Sequence, residues 1–464
     1  MRLDHDEEDY SLSLSRFESM LKTNKVFFFD SEEFEEIILH YLDTGRINLA
    51  KKALKLGLEQ HPKSTGLKLV QVEMLIYEDK IDMAEKLLNE LYVLEPNNDE
   101  IFIQKANIYS KRDNHEKAVE FLYEALKRTD DPADVYNLLG MEYLFMDNLE
   151  KAKENFILCL EEDIEDQSAL YNVVYCFEFL DQHLDAIAYL KNYIDKNPYS
   201  EIAWHQKGRL YYNLQDYENA VRAFELATYI DEYFLGAYLE KGKALEKLKR
   251  YEEAIESYKQ TMELDDPTSY ALLRIGKCYE KLGNKKEALD YYNKTVHEDP
   301  LLDKGWITIT DFYIKLKEFQ KALYNVNKAL GIDNQNPDYW KKYAAINNAL
   351  NFFEEAEYGY RKAIEYGDDD IDTWLFWVDL LLEIGETENA LFTLHQAEEQ
   401  HNNIFEIEVR LAGFYYTLGN YEKGKIYLTK ALQNNAAHIG VLNELFPSVY
   451  ELEEVQKLIK KHKN

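Results

Sequence analysis

Eleven alanines and one glycine return at a single fixed interval in this chain, and that column narrows the possible folds more than any other feature. They are Ala50, Ala84, Ala118, Ala152, Ala186, Ala220, Ala254, Ala288, Ala322, Ala356, Ala390 and Gly424, each thirty-four residues after the last. Strict self-similarity at such a period marks stacked supersecondary units that bury their apolar faces against neighbours. A methyl-sized side chain recurring once per unit means that one element crosses another too closely for anything larger. Overpacking such a crossing typically costs about 1–3 kcal/mol.

Setting this column as the twentieth place puts the first places at Ser31, Thr65, Asp99, Ala133, Gln167, Glu201, Leu235, Ser269, Asp303, Pro337, Ile371 and Phe405. The stretch Ile202 to Asp231 shows one frame clearly, with two segments of helical period around a break at Asn213–Asp216. Places four, eight and eleven fall at i, i+4 and i+7, one face of a helix. The fourth carries Trp204, Trp306, Trp340 and Trp374, and the eleventh is mostly tyrosine. An aromatic stripe at this spacing is read as core. The eighth place, with Gly140, Gly208, Gly242 and Gly276, is expected to face the twentieth. Bulkier residues there (Ile38, Val72, Val174, Thr310, Val378) predict that interhelix distances vary along the chain. Gly45, Gly283, Gly385 and Gly419 fall where a positive φ would end the first helix, and Pro62, Pro96, Pro198 and Pro300 close the loops between units.

These aromatic, glycine, tyrosine and alanine places resemble the tetratricopeptide repeat, in twelve frames that cover residues 31–438. The resemblance implies an all-α, right-handed α-solenoid (superhelix) of antiparallel helix pairs. The weakest frames are the second, with Lys68 at the bulky fourth place, and the last, with Glu408 there. Residues 1–30 are expected to form an acidic tail and an N-terminal capping segment, in which Leu14, Phe17 and Leu21 stand at helical spacing before the apolar run Val26–Phe29. Residues 439–464 open as a partial repeat, meet Pro447, and close in a capping helix with Leu452, Val455 and Ile459 on one side.

Charge and cysteine usage bear on partners and compartment. Lys+Arg 54 against Asp+Glu 87 gives −33, which repels phosphate backbones and anionic headgroups alike. Nucleic acid and membrane are therefore not expected as partners, and RNA binding is a remote alternative. Cys159, Cys176 and Cys278 have no Cys-x-x-Cys spacing, so free buried thiols in a reducing, cytoplasmic setting are expected. No phosphate-binding glycine loop, nucleophile elbow or His-Glu-x-x-His motif occurs. Histidines are scattered, and Asp4-His5-Asp6 would hold a metal only weakly. The chain is read as no enzyme, with no catalytic residue, metal or cofactor.

In the family the first helices line a concave groove, with places two, five, nine, twelve and thirteen pointing inward. Those places also share one side of a helix at i, i+3, i+4 and i+7. Along that face the fourth and fifth frames offer Asn137, Met141, Phe145, Tyr171, Tyr175 and Phe179, with Asn172 beside them. The sixth offers His205, Arg209, Tyr212 and Asn213; the seventh and eighth turn basic with Lys243, Lys247, Arg274, Lys277 and Lys281. Aromatic anchors next to charged groups suit a binding surface. The expected partner is a protein or peptide, including one with an acidic segment or a terminal carboxylate. Against this stands the plainer view that Lys243–Glu246 and Lys277–Glu280 are i, i+3 surface pairs. The family's carboxylate clamp is not matched: Asn107 fits one of its places, but Ile103 and Leu138 occupy others. The expected function is a scaffold or adaptor; the alternative is a self-assembling subunit whose groove receives another copy's end. The partner's identity and the oligomeric state are not legible in the sequence.

Overall fold

The computed structural model describes residues 13–22, 27–265 and 268–463. The acidic run Asp4–Asp9, the Asp4-His5-Asp6 cluster and Val26 lie outside them. Every regular element among the described residues is a helix. Twelve of these helices, each thirteen residues long, begin at the residues numbered one in the sequence frames, from Ser31–Asp43 to Phe405–Thr417. Each is followed after a short turn by a partner, as Glu201–Asn213 is by Tyr217–Ile230. The chain divides into two compact units, residues 1–237 and 238–464. Within each unit a pair's two helices pack together, and its second helix packs on the first helix of the next pair. This is an all-α solenoid.

The crossing in each pair follows from the small twentieth place. All eleven alanines there are fully buried, and Gly424 is buried too. The eighth place approaches the twentieth at Gly276, where a Cβ would stand 3.3 Å from the Ala288 carbonyl oxygen, but it faces a ring as well. At Gly140, Gly208, Gly242 and Gly276 a Cβ atom would lie only 2.5–2.6 Å from the rings of Phe156, Phe224, Tyr258 and Tyr292. These rings stand at place twenty-four of the second helix and fill the room a missing side chain leaves. Where the eighth place is bulkier, place twenty-four is aliphatic: Ile38 shares its core with Leu54, Val72 with Leu88, Val174 with Leu190 and Val378 with Leu394. The variation read as varying interhelix distance is accompanied by an exchange of volume between two facing places in eleven of the twelve pairs; the tenth sets Tyr360 with Ala344. Close packing demands the exchange, since interiors leave few voids larger than a water molecule.

The turns repeat as strictly as the core. Place fifteen has a positive φ in all twelve pairs, whether glycine (Gly45, Gly283, Gly385, Gly419) or not (Asp79, Asp113, Gln215, Lys249, Lys317 and others). Left-handed backbone ends the helix at that residue; Asp and Asn tolerate it better than Lys or Gln. First helices are capped from the loop before them: Ser64, Asp166, Ser200 and Thr268 each accept the amide of the third residue on. Three of the place-four tryptophans tie that same loop down. The indole N–H of Trp204 donates to the Pro198 carbonyl, Trp306 to Pro300, and Trp340 to Asn334, at 3.1, 3.0 and 2.8 Å.

Both ends carry extra apolar structure. In the first unit a helix covering residues 13–22 brings Phe17 into a core with Phe29, Phe34, Ile37 and Tyr41. Gln60 fixes the following segment by donating to the Phe27 carbonyl and accepting the Phe29 amide. In the second unit, short helices Gly440–Leu445 and Pro447–Tyr450 precede Glu453–Lys463. Val455 and Ile459 are buried there, and the Phe446 ring lies over Gly413, where a Cβ would come within 2.2 Å of it.

Candidate functional site

The first helices of the first unit frame a hollow of about 640 Å³. Its apolar wall includes Leu42, Met74, Ile76 and Tyr77; Glu73, Gln104, Asn107, Ser110 and Lys111 supply polar groups. Phe145 closes one side. That ring is 60% exposed and stacks at 5.2 Å on His115, whose Nδ1 lies 2.8 Å from a Glu142 carboxylate oxygen. Of the expected site residues, only Phe145 lines this hollow. Glu73, Tyr77 and Lys111 are not among the expected site residues, and Asn107 is named there only for one place of the unmatched clamp, although all four occupy ninth and thirteenth places. A carboxylate, a phenol, an amide and an amine make no stripe of like residues along the sequence.

Beyond Phe145 the same face carries Tyr171, Tyr175 and Phe179, all exposed, the last two with rings 4.3 Å apart. Met141 is half-buried and takes a weak hydrogen bond from Asn172 at 3.8 Å. Asn137 is engaged within the fold, donating to the Asp166 carboxylate at 3.2 Å. Asn213 donates to Glu178 at 3.0 Å, while Arg209 donates to Gln206 at 2.8 Å and approaches Glu178 at 3.7 Å. The Tyr212 ring meets Tyr217 edge-on at 5.3 Å. His205 departs from its expected place on the surface. Its ring is 9% exposed and packs between Phe224 and Phe234, at 5.7 and 4.8 Å. Phe234 in the loop after the second helix folds back over it, so place five is covered in this pair.

The second unit has its own hollow of about 380 Å³ on the same helix face. Lys247, Arg274, Lys277, Lys281 and Lys315 line it with Glu246, Glu280 and Asp311. The carboxylates are not bound as the i, i+3 alternative requires. Glu246 accepts from Arg274 Nε and from the Tyr258 hydroxyl, both at 2.7 Å. Glu280 accepts from Lys315 and from the Tyr292 hydroxyl, both at 2.6 Å. Asp311 is held by Lys342 of the next pair. The pairs therefore run between helix pairs and leave Lys277 outside them, although Glu246, Glu280 and Asp311 all attract its charge. Burial pushes its ammonium below the usual value, and the neighbouring Arg274 charge adds to that. Burial alone would raise Glu280, but the Lys315 and Tyr292 bonds outweigh it and hold the carboxyl below its usual range. Lys243 sits 5.4 Å above the Tyr270 ring, and Lys247 and Lys281 are exposed.

Reactive groups elsewhere are quiet. Cys159, Cys176 and Cys278 are buried free thiols, pushed up by burial to about 12, 11 and 12. Among the described residues no group of three His, Cys, Asp or Glu side chains is placed to hold a metal ion, and no helix is long and apolar enough to cross a membrane.

Comparison with known proteins agrees with this geometry. Models of the tetratricopeptide repeat match residues 99–132, 133–163, 202–234, 239–302 and 409–438. No curated protein sequence matches the chain. Among solved structures it is similar to the C-terminal part of a TPR repeat-containing protein from Cytophaga hutchinsonii, at 15% identity over 59% of this chain and 98% of that one, with a TM-score of 0.40. Others are the hetero-tetramer Cut9–Hcn1 of the APC/C (14%, 87% and 93%, TM-score 0.36) and YrrB, described as a TPR protein with an unusual peptide-binding site (17%, 40% and 95%, TM-score 0.33). The sequence matches fall on helix pairs whose small twentieth place, left-handed fifteenth place and aromatic packing are now explained, and the chain is a tetratricopeptide repeat protein.

Proposed function

We propose that this repeat protein is a scaffold that holds extended peptide segments on its first-helix face, with residues 31–438 as the binding array and residues 1–30 and 439–464 as caps. One observation carries the reading. In a chain of net charge −33, the hollow of the second unit gathers five cationic side chains against three carboxylates; Arg274 and Lys315 hold two of these and Lys342 the third, which leaves Lys247, Lys277 and Lys281 as the cationic excess. A half-buried ammonium such as Lys277 costs stability in the empty protein, and an incoming carboxylate relieves that cost. The matching ligand is a segment with acidic side chains or a free carboxyl terminus. The first unit's hollow and the exposed rings of Tyr171, Tyr175 and Phe179 suit apolar anchors. Three buried thiols fit a reducing compartment such as the cytoplasm.

The test uses fluorescently labelled peptides that mix aromatic and acidic residues, followed by anisotropy. Lys243→Glu with Lys277→Glu should weaken binding at least tenfold, and a peptide with glutamines for its glutamates should lose binding to the wild type. Equal affinity of wild type and double variant for the acidic peptide rejects the cationic hollow as its seat.

A further inference from the structure

Place twenty-two, on the second helix, is exposed in all twelve pairs. In the first eight it holds Lys52, Lys86, Glu120, Glu154, Ala188, Arg222, Glu256 and Asp290, as an outward place should. In the last four it holds Tyr324, Tyr358, Phe392 and Ile426, which are 60%, 41%, 65% and 55% exposed. All four lie in the second unit, at one exposed place on the second helices of four successive pairs (Phe319–Ile332, Phe353–Glu365, Thr387–Gln400 and Tyr421–Asn435), and equivalent places of stacked repeats follow one another along one face. Tyr324 also borders a hollow of about 460 Å³ with Trp306 and Val296. Nothing in the fold explains a change from mostly charged to large apolar side chains at one solvent-facing place, and exposed apolar side chains gathered on one face mark a contact surface.

Charge decides what covers it. A second copy carries the same −33 and is repelled by most of this surface. Over the outward places 18, 19, 22, 25, 26 and 29, the first eight pairs carry eleven basic against nineteen acidic side chains. The last four carry six against six. The apolar stripe thus coincides with a stretch where the outer face is electrically neutral. The signs are also segregated along it. The ninth pair has Lys321 and Lys328 and no acid at these places, while the eleventh has Glu388 and Glu399 and no Lys or Arg.

We infer that this stripe is the interface of a homodimer, with a two-fold axis at Tyr358 of the tenth pair. That axis sets Lys321 and Lys328 of one copy against Glu388 and Glu399 of the other, twice over, and joins the aromatic stripes between them. A two-fold interface must be self-complementary, and this arrangement meets that condition both in charge and in apolar character. The groove stays open, because the stripe lies on second helices and the proposed peptide seat on first helices.

Sedimentation velocity on the full chain, from about 1 to 100 μM, tests the inference. A monomer–dimer equilibrium is expected, weakened at least tenfold by Tyr358→Glu with Phe392→Glu. Both side chains are exposed, so circular dichroism should show an unchanged helix content. Lys328→Glu should weaken the dimer, and adding Glu399→Lys should restore it. A wild type that is monomeric at every concentration overturns the proposal, as does a dimer indifferent to the aromatic substitutions. Failure of the charge swap to restore the dimer overturns the two-fold register. Peptide anisotropy in the Tyr358→Glu, Phe392→Glu variant should match the wild type, which separates this interface from the groove.

Discussion

At the scale of the residue, the exchange between places eight and twenty-four is the fold's most exacting feature. Gly140 exists because the Phe156 ring occupies the space of its side chain. Gly140→Ala should cost about 1–3 kcal/mol, as overpacking does. Adding Phe156→Leu should recover most of that loss, because Ala with Leu at these two places already occurs at Ala106 with Leu122 and at Ala412 with Leu428. A double-mutant cycle by urea unfolding measures the coupling, and additive effects would contradict it. The place-twenty alanines were legible in the sequence because a column of one residue type needs no partner to be noticed. The compensation was not, because it lies in the correlation between two columns of different composition. Glu280 gives a second residue-level outcome. Its carboxyl is held below the usual range by Lys315 and Tyr292, so it contributes stability at neutral pH that is lost as the pH falls through that lowered value. Glu280→Gln should cost on the order of 1 kcal/mol at pH 7, with the gap to the wild type closing in acid, as thermal melts at both pH values would show.

At the scale of the element, the turn after each first helix turns on one backbone angle. Glycine accepts the left-handed region freely and aspartate moderately, but Lys317 at φ 58° does not. Lys317→Gly should stabilise by about 0.5–1 kcal/mol, the relief of left-handed strain less the added chain entropy of glycine. Asp113→Gly, at φ 56°, should gain less, and differential calorimetry of the two variants compares them. Four of these turns were legible because glycine announces a positive φ. The other eight were hidden, since no single residue type marks them and only the period carries the information across. His205 illustrates the opposite limit. Its place in the helix is an inward one, but a loop residue, Phe234, covers it, and loop paths are not written in helical spacing.

At the scale of the whole molecule, the periodic core and the order of the helices follow from the sequence alone, because each pair meets only its neighbours and each pair carries the same instructions. The candidate site was legible only where it formed a stripe of like residues. The aromatic residues from Phe145 to Phe179 and the lysines from Lys243 to Lys281 did so; the first unit's hollow, with Glu73, Asn107 and Lys111 among its walls, did not. Double charge reversal at Lys243 and Lys277 belongs to this scale too, since it asks whether several pairs act as one surface on a single ligand.

A stack of like units has no built-in length: bare, its final face would welcome another chain's opening helix and grow into a fibre. The Phe446 ring lodged in the notch at Gly413 covers part of the last pair's first helix. As the proposed cap it would leave the flanks as the surface on which two copies meet, and a two-fold contact there closes on itself.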